Sequence, residues 1–240
     1  MKERPILFNA TMVRAILEGR KTQTRRIVKV QPPGEGYVLA QCVSTTGPRR
    51  NEGRYRWVKR NGHELIDCLQ TYCSKPYAAG DRLWVKESFR TIHDEDNLWD
   101  CIEYADGQKI KPNVPDDVGF KFSFDCDYDN VRWRSSRFMP RWASRITIEV
   151  TGVRVNRLQD ISEDDIFHEG IQRLENHSWH ATGSIPLGTY RGLDEWTDNK
   201  FDYWVDPRDA YKALWDSING PGAWEKNPWV WVVEFKRVED

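Results

Sequence analysis

Ten residues near the end of the chain, WVWVVEFKRV at 229–238, constrain the fold more than any other stretch. β-Branched and aromatic side chains fit a pleated, closely packed surface, and here they run almost without a polar break. Such a strand needs cover on both faces, so it is expected at the centre of a sheet. A second strand is expected over RITIEVTGVRV at 145–155. Ile146, Ile148 and Val150 alternate to one side, and Gly152 marks a bulge or bend after which the alternation resets at Val153 and Val155. A curved strand of this kind suits a small barrel.

Short, well-punctuated helices accompany these strands. Met12, Val13, Ile16 and Leu17 recur at helical spacing, with Asn9 or Thr11 to cap the start and Gly19 to end the helix. Ser162 and Asp165 resemble a capping box, and Ile161 and Ile166 form a hydrophobic staple, which predicts a helix over 163–169 stopped by Gly170. Asp206 and Pro207 open a third helix whose buried stripe is Tyr211, Leu214, Trp215 and Ile218, ended by Gly220. A further strand is expected over 82–90, placing Leu83, Val85, Glu87 and Phe89 on one face. Glu87 is then either a partnered buried acid or a site residue. The class is α+β.

Composition narrows the setting. At 240 residues, with 39% hydrophobic and 30% charged residues, the chain has the make-up of a globular protein. No apolar run reaches the length of a membrane span and MKERPILFNA lacks a signal-peptide core, so the cytoplasm and no membrane partner are expected. A net charge of -1 excludes a protein-wide basic field. Basic residues nevertheless gather around 14–29, 49–60 and 132–145, and acidic ones around 94–106 and 115–129, which permits one basic face. Five irregularly spaced cysteines fit free thiols, and no CxxC pair supports a metal site around His63, Cys68 and Cys73. A few of the 12 tryptophans, if exposed, would offer stacking platforms for bases.

Directly after Gly19 come Arg20, Lys21, Thr22, Thr24, Arg25 and Arg26. Like charges disfavour an ammonium, so Lys21 is expected to carry a lowered pKa and to be able to act as a base. Glu169 falls at the last position of its helix, where the helix dipole favours the protonated acid. A flat strand over 20–26 would point Lys21 and Thr24 to opposite faces, so their cooperation requires a turn.

GRKTQTRR after an amphipathic helix resembles the signature of the ASCH domain, of the PUA-like fold group. The likeness extends to GDRLWVKESF at 80–89, PRWASRITIEVTGVRV at 140–155, LQDISEDDIFHEGI at 158–171 and NPWVWVVEFKRV at 227–238, a little under a third of the chain. It implies a PUA-like small β-barrel flanked by short helices, with core segments at about 4–30, 80–91, 140–171 and 207–238 and large insertions at about 31–79, 92–139 and 172–206. It is similar to bacterial amidohydrolases that cleave N4-acetylcytidine. Matched residue by residue, Lys21 would be the proton acceptor, Thr24 the nucleophile and Glu169 the proton donor. Arg20 and Arg26 would bind substrate, with Trp84, Glu87 and Arg145 as further candidate contacts. No metal or other cofactor is required.

The insertions distinguish this chain from those compact enzymes and give it the layout of longer members carried by phages and prophages. Three functions therefore stand side by side. One is an amidohydrolase acting on an N4-acylated cytidine or related nucleoside or nucleotide. Another is a module binding single-stranded RNA or DNA, with or without ribonuclease activity. The third is a phage accessory factor that binds a phage or host protein through the insertions.

Overall fold

The computed structural model describes residues 3–42, 53–94, 99–111, 132–173, 179–180 and 206–238. The early strands are β1 (Glu3–Leu7), β2 (Gln23–Ile27), β3 (Tyr37–Gln41), β4 (Tyr55–Asn61), β5 (Glu64–Cys68) and β6 (Arg82–Lys86). They are followed by β7 (Phe89–Asp94), β8 (Trp99–Tyr104), β9 (Lys109–Ile110), β10 (Thr147–Arg157), β11 (Gln172–Arg173), β12 (Trp179–His180) and β13 (Trp229–Val238). Among the described residues three α-helices, α1 (Ala10–Leu17), α2 (Glu163–His168) and α3 (Pro207–Asn219), lie between these strands. The architecture is α+β, mostly strands.

The central sheet has the order β1-β6-β10-β13-β2. β13 pairs antiparallel with β10 on one edge and β2 on the other, as its apolar density requires. The β10 register shifts between Val150 and Gly152, where the bend was expected. β1 is the one parallel member of this sheet, alongside β6. The ladder is open, because β1 and β2 are its two ends and are not paired to each other among the described residues. Across that opening Arg26 Nη2 donates to the Leu7 carbonyl at 2.8 Å.

All three helices follow their cap grammar. Asn9 accepts from the Met12 amide, Ser162 from the Asp165 amide and Asp206 from the Arg208 amide, each satisfying an otherwise orphaned first-turn N–H. Ile161 and Ile166 are both fully buried, as a staple demands.

The single strand expected over 82–90 is two. β6 ends at Lys86, and β7 leaves for a separate sheet with β8 and β9. Leu83, Val85, Glu87 and Phe89 are nonetheless all buried, so the alternation holds across the break. Residues 31–79 supply the three-stranded sheet β3-β4-β5. Its Trp57 is fully buried in the main core, with its ring 5.1 Å from that of Trp229 and its Nε1 donating to the Val30 carbonyl at 2.6 Å. Most of the expected insertion at 172–206, and the acidic stretch at 115–129, lie outside the described residues. Among the described residues no helix is long and apolar enough to cross a membrane.

Candidate functional site

The turn after α1 decides where Lys21 goes. Gly19 takes φ +75°, a conformation that costs a side-chain-bearing residue, and the Arg20 and Lys21 amides both return to the Ala15 carbonyl at 2.9 and 3.0 Å. The Thr22 amide then donates to His168 O at 2.9 Å, which ties the turn to the end of α2. β2 begins only at Gln23, so Lys21 is free of strand alternation and points inward. The turn frees Lys21 from strand alternation but brings it to Glu169 and not to Thr24, to which it makes no hydrogen bond.

Lys21 and Glu169 meet as a result. Lys21 Nζ donates to the Glu169 carboxylate at 2.7 Å and to the Glu169 backbone carbonyl at 2.8 Å. The second bond places a cation at the negative end of α2. Arg25 Nη1 donates to the other Glu169 oxygen at 3.1 Å, so the carboxylate is held between two cations. Lys21 and Arg25 side chains are 0% exposed and that of Glu169 is 4% exposed, which removes water as a competing partner.

Arg25 also connects the pair to a polar network behind it. Its guanidinium donates to Gln23 Oε1 at 2.6 Å and to Asp165 at 2.7 Å, while Arg154 reaches the same Asp165 oxygen at 2.6 Å. Burial raises the Asp165 pKa, but the bonds from Gln23 and Arg154 and the charges of Arg25 and Arg154 outweigh it, and the net direction is down.

Thr24 and Arg26 share the other face of β2 by alternation. Both line a cleft of about 410 Å3 at the opening between β1 and β2, and Glu169 reaches the same cleft. Phe8, Met12, Tyr211, Leu214 and Trp215 give it apolar and aromatic walls, and Ser88 and Ser136 lie along one side. Arg26 is stacked 5.5 Å from the Phe8 ring centroid. Lys21 stands behind Glu169 rather than on the cleft wall.

The Lys21 pKa is lowered, as expected, but chiefly for another reason. Burial is the dominant cause, the Glu169 charge and bond oppose it, and Arg26 and Arg25 add only smaller downward pushes. Tyr211 is held well above its ordinary pKa by burial and then by the Glu169 charge, so it remains a neutral phenol.

The other candidate contacts are elsewhere. Arg20 bonds Glu18 and the Gly170 carbonyl and is not on the cleft wall. Glu87 is buried and fully partnered: Arg145 Nε and Nη2 donate to its two oxygens at 2.9 and 2.7 Å. Arg145 also bonds Asp106 at 2.8 Å and stacks 4.0 Å from the Tyr104 ring centroid. Trp84 carries Lys86 over its ring at 5.3 Å. None of Trp84, Glu87 and Arg145 lines the cleft.

Sequence reasoning missed Arg25 and Tyr211. Arg25 shares a β2 face with Gln23, a period-two signal hidden inside a run that reads as solvated charge. Tyr211 reads as one member of the apolar stripe of α3, and nothing local distinguishes it. Among the described residues no group of three or more His, Cys, Asp or Glu side chains could hold a metal ion.

Comparison with models of known families, with curated proteins and with solved structures finds no match to this chain.

Proposed function

We propose that the protein is an amidohydrolase that removes the acyl group from an N4-acylated cytidine or a related modified nucleoside. One observation carries this reading. Two distant segments bring a desolvated lysine into contact with a glutamate, and that glutamate opens beside a threonine onto a cleft within the roughly 300–1,000 Å3 range of small-molecule sites. In this reading the central sheet is a PUA-like barrel, opened at the β1–β2 seam to admit substrate.

The chemistry follows from the shared proton of the Lys21–Glu169 pair. Burial lowers the Lys21 pKa, which brings a neutral amine within reach, and in this reading the shared proton rests on Glu169 at the start of the cycle. Thr24 Oγ1 attacks the acyl carbonyl carbon, and its proton is relayed to Lys21 Nζ through the Glu169 carboxyl group, which takes it on one oxygen as it passes its own from the other. Arg26 faces the resulting oxyanion. The C–N bond then breaks with its electron pair on the exocyclic nitrogen, which takes the proton of Glu169 and leaves as the free amine.

Lys21 and Glu169 now form the ion pair, and Thr24 carries the acyl ester. Water attacks that ester, giving its proton to the Glu169 carboxylate. Lys21 returns a proton to Thr24 Oγ1 through the same carboxyl group as the acid departs. Every atom and charge is restored without an external acid or base.

The test is release of cytidine from N4-acetylcytidine by the purified protein, alongside folded Lys21→Ala, Thr24→Ala and Glu169→Gln variants. Wild-type turnover is expected, with each variant reduced by a factor on the order of 100 or more, the usual scale for losing an acid, base or nucleophile. A folded wild type with no turnover of this or other N4-acyl cytidines overturns the reading.

A further inference from the structure

Next to the cleft lies a surface that the acyl-transfer chemistry does not use. Residues 132–141, RWRSSRFMPR, hold four arginines and no acidic residue. Arg132, Trp133, Arg137, Phe138 and Arg141 are all exposed. Trp133 keeps 47% of its surface in solvent and Phe138 keeps 71%. Large aromatics left open beside cations are a poor arrangement for stability, because burying one such ring is worth roughly 1.5–3 kcal/mol.

The segment is nevertheless built firmly. Arg134 exchanges both backbone hydrogen bonds with Phe89, at 2.8 and 3.2 Å, at the start of β7. Ser135 caps a short 3-10 turn at Ser136–Phe138, and the following Met139 is buried, its sulfur accepting from the Glu87 amide at 3.4 Å. Lys86 Nζ donates to the Arg137 carbonyl at 2.5 Å. The aromatic rings are therefore displayed by a fixed backbone. Trp133 carries the Arg90 guanidinium 5.0 Å from its ring centroid, while Arg132 and Arg137 have no ion-pair partner among the described residues.

This surface continues into the cleft. Ser136, inside the segment, and Ser88, which adjoins the residue paired with Arg134, both line it. A base held beside Thr24 and Glu169 would have on one side the wall formed by Ser136, whose neighbours in the chain carry the exposed arginines and aromatic rings.

We infer that the substrate base belongs to a single-stranded nucleic acid, whose neighbouring nucleotides stack on Trp133 and Phe138 while Arg132 and Arg137 contact its phosphates. This deepens the amidohydrolase reading and rests on it for the identity of the base. The strand must be single. The exocyclic N4 lies on the pairing edge of cytosine, so a duplex would hide both the amide and the base faces that the rings need. On this proposal the basic face that the sequence permits, with its exposed tryptophan, lies on the segment that supplies Ser136 to the cleft.

The test uses the whole protein and a fluorescein-labelled single-stranded RNA of about ten nucleotides, within the usual site size, carrying one N4-acetylcytidine. Fluorescence anisotropy at several salt concentrations should show binding that weakens as salt rises, by one to two released counterions. Trp133→Ala and Phe138→Ala should each weaken it by about tenfold, the scale of one lost stacked base. Arg132→Ala/Arg137→Ala should flatten the salt dependence. Unchanged melting temperatures check folding, since all four side chains are exposed.

Binding unaffected by these substitutions, equal affinity for the matching duplex, or equal binding of an acidic peptide overturns the proposal. Wild-type turnover of the free nucleoside without oligonucleotide binding overturns it too and leaves the amidohydrolase reading standing. Oligonucleotide binding that responds to the variants, without deacylation of either substrate, supports the surface and removes the enzyme.

Discussion

Two buried acid clusters in this protein have nearly the same ingredients and different prospects. Glu169 is held by Lys21 and Arg25 beside Tyr211, and Glu87 by Arg145 beside Tyr104, with Asp106 on the far side of the arginine. Both carboxylates are about as deeply buried, at 3% and 2% exposed. Both tyrosines are pushed upward in pKa, by burial first and then by the neighbouring glutamate. What differs is access. Glu169 reaches a cleft that also holds Thr24 and Arg26, whereas Glu87 is enclosed by its own partners. A tyrosine pushed upward marks both clusters, so perturbed titration cannot by itself identify a site; an open cleft and a nucleophile beside the acid make the distinction.

The largest expected effect separates the clusters by what they lose. Arg145→Ala leaves Glu87 buried without its bidentate partner, and denaturant unfolding should show a loss of about 3–5 kcal/mol. Turnover per folded molecule should be unchanged. Arg25→Ala should cost a similar amount of stability and also lower turnover by a factor on the order of 100, because Glu169 loses the bond that orients it. If Arg145→Ala removed turnover from molecules that remain folded, Arg145 would belong to the substrate site and the comparison would fail.

A smaller effect concerns the sign of the pH dependence. The Asp165 pKa is depressed, so its contribution is present above the ordinary carboxylate value of 3.8 and is lost as pH falls through the folded value. The Glu87 pKa is raised, because burial outweighs the Arg145 bonds and charge. Its contribution is therefore fully present below 4.5 and is lost as pH rises through the folded value. Stability of wild type relative to Asp165→Asn should rise with pH across the acid range, and relative to Glu87→Gln it should fall. Urea midpoints between pH 3 and pH 7 check both, and slopes of the same sign would show that one of the two clusters is wired differently from the structure.

The sequence made some of this legible and concealed the rest for definite reasons. Caps and staples are local, so Asn9, Ser162, Asp206 and the glycines that follow their helices could be read directly, as could the bend at Gly152. The burial of Lys21 could not. A Lys-Arg-Thr run has the composition of a solvated surface, and only the return of its backbone to Ala15 turns it inward. For the same reason the like-charge explanation of Lys21 named a minor cause, since desolvation depends on tertiary packing. Glu87 was legible as a buried acid through alternation. Its partner Arg145 lies 58 residues away, a separation that no periodicity reports.

The smallest expected effect tests how far the network behind Glu169 extends. At the β10 bulge, a Cβ on Gly152 would stand 2.8 Å from a Glu234 carboxylate oxygen, so Gly152→Ala must displace that side chain. Glu234 is 44% exposed and can swing into solvent, giving up its 3.1 Å bond to Arg154. A partly exposed pair of this kind is worth about 0–1 kcal/mol. Gly152→Ala should therefore lower stability by no more than that and leave turnover intact, since Arg154 keeps Asp165. The route can be checked by a double-mutant cycle. In a Glu234→Ala background the clash is absent, so Gly152→Ala should become nearly neutral. A cost that persists there would place the requirement for glycine in the bulged backbone itself. The link from Glu234 through Arg154 and Asp165 to Arg25 would then end before it reaches β13.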